Sequence, residues 1–147
     1  MIRNLLYSLL IHAFNGVAIW FLAGWSFDFF QNQNQVFTGS LYLLSILGLV
    51  IYFAFGSKFL HYLSPMKNIT SLSLVSMIGI ILWISCYYFS DGGLAWFIYL
   101  VYNAPIYPFL ITLELEPENT LLFALIPSFI LWTALALKHT KEKRRII

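Results

Sequence analysis

Gly92-Gly93-Leu94-Ala95-Trp96-Phe97-Ile98-Tyr99-Leu100-Val101-Tyr102-Asn103-Ala104-Pro105-Ile106-Tyr107-Pro108-Phe109-Leu110-Ile111-Thr112-Leu113 is the stretch on which the architecture turns. It is apolar and has the length of a membrane span, since about 20 residues cross roughly 30 Å of hydrocarbon. Its middle, Asn103 to Pro108, argues against a straight crossing. Pro105 and Pro108 each remove a backbone donor and push the preceding residue away from the α region. Only about ten helical residues precede the break, roughly 15 Å at 1.5 Å per residue, which is too short to cross. Trp96, Phe97, Tyr99, Tyr102, Tyr107 and Phe109 are aromatics of the kind that gather at headgroup depth. Residues 92–116 are therefore expected to form an interfacial or shallow re-entrant hairpin, with a Pro-kinked fifth span as the rival.

Outward from that stretch lie four more apolar runs, giving expected spans at 5–25, 38–57, 70–89 and 117–138. The chain has 147 residues, 61% hydrophobic and 10% charged, with a mean hydropathy of +0.82. A water-soluble domain of this size could not cover such a surface, so the chain falls in the membrane class, as one membrane domain over 1–147. The N-terminal run is read as a retained span. Its end, Phe21-Leu22-Ala23-Gly24-Trp25, is not a small-x-small cleavage site. A net charge of +2 is too small to imply nucleic acid. The one cysteine, Cys86, excludes an intrachain disulfide.

Charge decides between four and five crossings. With four, Arg3, Lys58, Lys67 and the tail cations Lys138, Lys141, Lys143, Arg144 and Arg145 all fall on one side of the membrane. Asp28, Asp91, Glu114, Glu116 and Glu118 fall on the other, and Glu142 alone sits among the cations. With five, the tail cations separate from the loop cations. Lys and Arg mark the cytoplasmic side, so both termini are expected there and the hairpin on the extracytoplasmic side. The expected fold class is an all-α integral membrane protein with a four-helix bundle and a Pro-broken hairpin. A bacterial inner membrane, or an organelle membrane of bacterial descent, suits that asymmetry. The tail cations can also meet anionic lipid headgroups.

Helix ends supply further expectations. Pro117 beside Glu116 and Glu118 suits the start of the last helix, and Lys138 and His139 suit its end. Asn68, Thr70 and Ser71 are candidate N-caps for the third span, and Pro127 is expected to kink the last. Gln31 to Gln35 reads as a solvated connector. Asn68-Ile69-Thr70 matches a glycosylation acceptor, but on this topology it faces the cytoplasm against the membrane.

Small and polar residues mark helix contacts in lipid, where the hydrophobic drive between helices is weak. The first span carries Ser8, His12 and Asn15 on one stripe. The second carries Ser45, Gly48, Tyr52 and Gly56, the third Ser76, Gly79 and Cys86, and the last Ala124 and Ser128 around Pro127. Intramembrane polar groups raise a functional hypothesis by default. His12 is expected to stay neutral and to hydrogen-bond with Asn15 or a hydroxyl of a neighbouring helix; a proton relay is the sharper reading. No Asp, Glu, Lys or Arg lies inside the four spans except Glu118 and Lys138 at the two ends of the last, which disfavours a coupled pump.

Ser8-Leu9-Leu10-Ile11-His12 resembles the Ser-x-x-x-His stripe in the N-terminal span of the TonB and TolA energy-transducing proteins. The resemblance covers about 20 residues, and the long periplasmic spacer and C-terminal domain of those families have no counterpart here. It implies that Ser8 and His12 form a contact stripe for another membrane subunit.

Other chemistry is sparse. Glu114, Glu116 and Glu118 read as a solvated acidic loop, because hard cations need several converging oxygens. His61 and His139 are isolated in basic surroundings and do not suggest a metal. No phosphate loop, His-Glu-x-x-His motif or nucleophile elbow is present. The sequence thus leads to the expectation of a non-catalytic small membrane subunit, without cofactor or metal, whose partners are lipids and other integral membrane subunits. The competing expectation is a small transporter or channel component, its cavity lined by the segment around Asn103-Pro108. On the hairpin, Trp96, Asn103, Pro105, Tyr107 and Pro108 are the residues to watch.

Overall fold

The structure, a computed structural model, describes residues 1–30, 33–89 and 93–144. Gln31 and Asn32 of the expected connector, Asp91 and Gly92 before the broken segment, and Arg145 of the basic tail lie outside these residues. The described chain is helical: α1 (Ile2–Phe30), α2 (Asn34–Phe59), α3 (Pro65–Phe89), α4 (Gly93–Tyr102), α5 (Tyr107–Thr112) and α6 (Ile126–Arg144). Short 3₁₀ turns occupy Ala104–Ile106, Pro117–Asn119 and Leu121–Leu125. Four helices are long and apolar enough to cross a membrane: α1, α2, α3 and the continuous stretch Leu121–Arg144. At 29, 26 and 25 residues, the first three outrun the apolar runs that announce them.

The small polar side chains of the helices face the interior, where they share space with an apolar core, and the outer surface is apolar. On α1, Asn4, Ser8, Ile11, His12, Asn15 and Ile19 are buried, whereas Leu6, Leu10, Phe14, Val17, Phe21 and Trp25 are exposed. Both sets recur at helical spacing, so two opposite faces are defined, reversed in sense from those of a soluble amphipathic helix. α1 packs on α2 and α3, and α2 and α3 both pack on α6.

The helix ends follow local chemistry. α3 begins one turn earlier than Asn68, Thr70 and Ser71 suggested. Pro65 occupies its first position, where no N–H is needed, and the Ser64 hydroxyl accepts from the Lys67 amide at 3.4 Å. Asn68, instead of capping, reaches back to accept the Leu63 amide at 3.1 Å. The last span does not run as one α-helix from Pro117. Two 3₁₀ turns precede α6, and Pro127 stands in the first turn of α6, so it marks the change of helix type in place of a kink within it.

The broken segment has two arms, Gly93–Tyr102 and Ala104–Thr112, that meet at 78°. Each proline opens a new turn: Pro105 the 3₁₀ turn and Pro108 helix α5. The vertex is packed inside protein, with Asn103, Ala104, Pro105, Ile106 and Pro108 all buried against α1 and α2. Trp96 and Tyr107 are half-buried. α5 closes with Glu114 in the left-handed region at φ 52°. The Glu114 amide donates to Ile111 and the Leu115 amide to Leu110, both at 3.1 Å, a Schellman closure in which glutamate takes the place usually held by glycine.

Candidate functional site

The break in the chain frees a carbonyl, and that carbonyl organises the interior. In a continuous helix Tyr102 O would accept from the residue 106 amide, but Ile106 N–H donates to Asn103 O at 2.9 Å instead. Tyr102 O therefore accepts from His12 Nε2 at 2.9 Å. A carbonyl can only accept, so Nε2 bears the proton of the neutral ring and Nδ1 is left as an acceptor. Tyr52 Oη lies against Nδ1 and donates to it. Both imidazole nitrogens are thereby engaged, and the ring packs 4.4 Å from that of Tyr102. Tyr102 Oη in turn donates to Val75 O of α3 at 2.7 Å. One connected set of groups thus joins α1, α2, α3 and α4.

Asn15, one turn along α1, donates through Nδ2 to Gly48 O of α2 at 2.9 Å. Gly48 has a steric reason to be glycine. A Cβ there would stand 2.6 Å from Pro105 O, so the bare backbone is what lets the vertex reach α2. Gly56 plays a milder version of this role against Leu131 and Ala134 of α6, and Gly79 against Ala124 and Tyr102. Asn103 Nδ2 donates to Tyr99 O at 3.0 Å and closes α4. The amide oxygens of Asn15 and Asn103 and the Ser76 hydroxyl are buried without a hydrogen-bond partner among the described residues.

The remaining small and polar residues serve helix pairs. Ser8 Oγ donates to Leu5 O at 2.8 Å and reaches Ser71 O of α3 at 3.4 Å. The Ser8 and His12 stripe is thus covered by this chain's own helices. Ser45 donates within α2 to Leu41 O. Ser128 of α6 accepts from the Ser76 amide at 3.2 Å and donates to Leu72 O at 2.6 Å. It bridges two backbone groups that an α-helix would normally join to each other. Cys86 Sγ donates to Ala95 O at 3.2 Å.

One end of the bundle is fastened by side chains of which sequence reasoning overlooked Asn4 and Tyr62 and gave Lys138, His139 and Asn68 other roles. Asn4 pairs reciprocally with His61, donating to its carbonyl at 2.6 Å and accepting from its amide at 3.1 Å. Lys138 Nζ donates to Leu60 O at 2.9 Å, and His139 stacks on Tyr62 at 3.7 Å, nearly parallel. With Asn68 holding Leu63, the turn after α2 is gripped by α1, α3 and α6 together. The legible signal was Asn4, which extends the Ser8, His12 and Asn15 stripe by one turn. This geometry gathers Arg3, Lys58, Lys67 and Lys138 at the same end, with Lys141, Lys143 and Arg144 on the exposed last turns of α6.

Among the crevices that open on the outer surface, two bear on function. The larger, about 660 Å³, lies between α1 and α4 and is lined chiefly by Ala13, Gly16, Val17, Phe21, Phe97 and Val101, with edges of His12 and Tyr102 on its floor. The other, about 440 Å³, lies between α2 and α6 at the basic end. Among the described residues, no group of three or more His, Cys, Asp or Glu side chains is placed to hold a metal ion. No family model, curated protein or solved structure matches the chain.

Proposed function

We propose that this chain is a non-catalytic multi-pass membrane subunit that packs laterally against larger integral membrane partners. The observation that carries the reading is the use made of the buried polar side chains. His12, Tyr52 and Tyr102 engage one another and backbone carbonyls, with both imidazole nitrogens occupied. Groups engaged in this way fix the geometry of a bundle. The apolar crevice between α1 and α4, with Ala13 and Gly16 at its base, has the small-residue floor on which a partner helix can approach closely.

The accompanying topology has four crossings, both termini in the cytoplasm and the 92–116 segment re-entrant from the opposite side. Grouping of the cations at one end supports it. So does the buried vertex, since irregular backbone at membrane depth is tolerated only inside protein or along a water-filled cavity. The deciding experiment places a photo-crosslinking residue at Val17 or Phe97 in cells and identifies adducts by mass spectrometry. A discrete integral membrane partner at both positions is expected. Adducts to lipid alone, with the chain purifying as a solitary monomer, overturn the reading.

A transport role is the second reading, favoured by the unpartnered amide oxygens of Asn15 and Asn103 beside the break. Solute flux in proteoliposomes holding only this chain, lost in Asn103→Ala, would establish it in place of the first.

A further inference from the structure

We infer that the crevice between α2 and α6 at the basic end is a binding site for one anionic glycerophospholipid; this rests on the membrane reading above. The crevice encloses about 440 Å³ and is lined by Phe53 and Ser57 of α2 and by Ala134, Leu137, Lys138, Lys141 and Glu142 of α6. Its lining changes character along its length. Phe53, Ala134 and Leu137 are apolar and lie toward the middle of the bundle. Counted from Phe53 and Ala134, Ser57, Lys138, Lys141 and Glu142 lie one to two turns nearer the helix ends, with Ser57, Lys138 and Lys141 on the same faces by their i, i+4 and i, i+7 spacing.

That gradient matches a lipid with its tail against the apolar half and its phosphate at the rim. The seam below the rim is tight, because Gly56 lets α2 approach Leu131 and Ala134 to within 3.1 and 3.3 Å of where a Cβ would stand. Lys138 is held in place by its hydrogen bond to Leu60 O, and two of its three N–H donors remain. Lys141 is exposed one turn on. Their two positive charges outnumber the one of Glu142, and Lys58 stands next to Ser57 in the chain. A net positive rim selects a headgroup of net negative charge over a zwitterionic one, and each lysine near such a surface accounts for about a fivefold change in affinity.

Glu142 gives the proposal an opposite-signed test. The full-length chain is purified in a neutral detergent and titrated with phosphatidylglycerol or phosphatidylcholine of identical acyl chains, and bound lipid is counted by native mass spectrometry. One phosphatidylglycerol is expected to be retained in preference to phosphatidylcholine. Lys141→Gln should weaken that retention about fivefold, and Glu142→Gln should strengthen it by about the same factor. Lys143→Gln, outside the crevice, should leave it unchanged, and Ser57→Trp, which fills the rim, should abolish it. Folding of each variant is checked by its melting temperature without lipid. Equal binding of both lipids, or equal loss in Lys143→Gln and Lys141→Gln, would refute a defined site and leave only diffuse attraction to the tail. This outcome is independent of whether a protein partner is captured at Val17 or Phe97, whereas extraction of the chain from membranes by alkaline carbonate would remove the membrane reading itself.

Discussion

Adding a single methyl group at Gly48 tests the central claim that the chain break is lodged inside the bundle. The Cβ of Gly48→Ala would stand 2.6 Å from Pro105 O and 3.6 Å from Ile19 Cγ1. The nearest comfortable carbon-to-oxygen approach is about 3.3 Å, so the carbonyl or α2 must retreat by roughly 0.7 Å. The obstacle is backbone in a 3₁₀ turn tied by Ile106 N–H to Asn103 O, and it has no rotamer into which to turn aside. Overpacking of this kind costs about 1–3 kcal/mol. Replacing a mid-helix glycine by alanine returns about 0.5–1 kcal/mol, leaving a net loss of about 1–2 kcal/mol. Gly16→Ala meets Pro105 Cδ at an ordinary 3.6 Å, and Gly24→Ala meets nothing within 4 Å, so both should be neutral or slightly stabilising. Unfolding of the three variants by SDS titration in mixed micelles measures the differences. A Gly48→Ala variant as stable as Gly24→Ala would show that Pro105 does not press on α2, and the buried vertex would fall with it.

Tyr52→Phe removes the hydroxyl that donates to His12 Nδ1 and should cost about 1 kcal/mol; in a double-mutant cycle with His12→Ala the two losses should be non-additive, and strict additivity would deny the pair. Ser128→Ala takes away the bridge between Leu72 O and the Ser76 amide and should lower stability by about 1 kcal/mol, read in the same micelle titration. Glu114→Gly relieves a left-handed residue and should stabilise the fold by about 1 kcal/mol; a loss would mean that the carboxylate serves some other purpose. Cys86, buried against Ala95, should resist a membrane-permeant maleimide until the protein is unfolded, which mass shift after labelling reports.

Helix number and the inward faces were readable because the membrane imposes two strong rules. Long apolar runs must be helices, and costly polar residues must find protein. Ser8, His12 and Asn15 shared a stripe in the sequence and share a buried face in the structure. His12 meets a hydroxyl of a neighbouring helix, that of Tyr52, as expected; its second partner was less legible, since it is a main-chain carbonyl released ninety residues away by the bend at Asn103. A hydrophobicity pattern carries no record of which carbonyls a break sets free. The aromatic residues of the broken segment pulled the reading toward the membrane surface. Tyr99 and Tyr102 instead send their hydroxyls to Thr120 and Val75 within the protein. Aromatic content alone does not distinguish a ring at headgroup depth from one whose polar end meets a buried partner. The α3 start was misplaced for a simpler reason: Ser64-Pro65 is a complete start signal that lies outside the apolar run used to locate the helix.

The turn between α2 and α3 answers to the first helix and the last at once, and this bears on how the chain matures. While Lys138 and His139 are still being translated, the carbonyl of Leu60 and the ring of Tyr62 lack these partners, so the three earlier helices remain unlatched at that end. Arrival of α6 supplies the latch, the Ser128 bridge and the floor of the α2 seam together. A chain stalled before its final helix would therefore differ sharply from a finished one in how firmly its first three helices hold together.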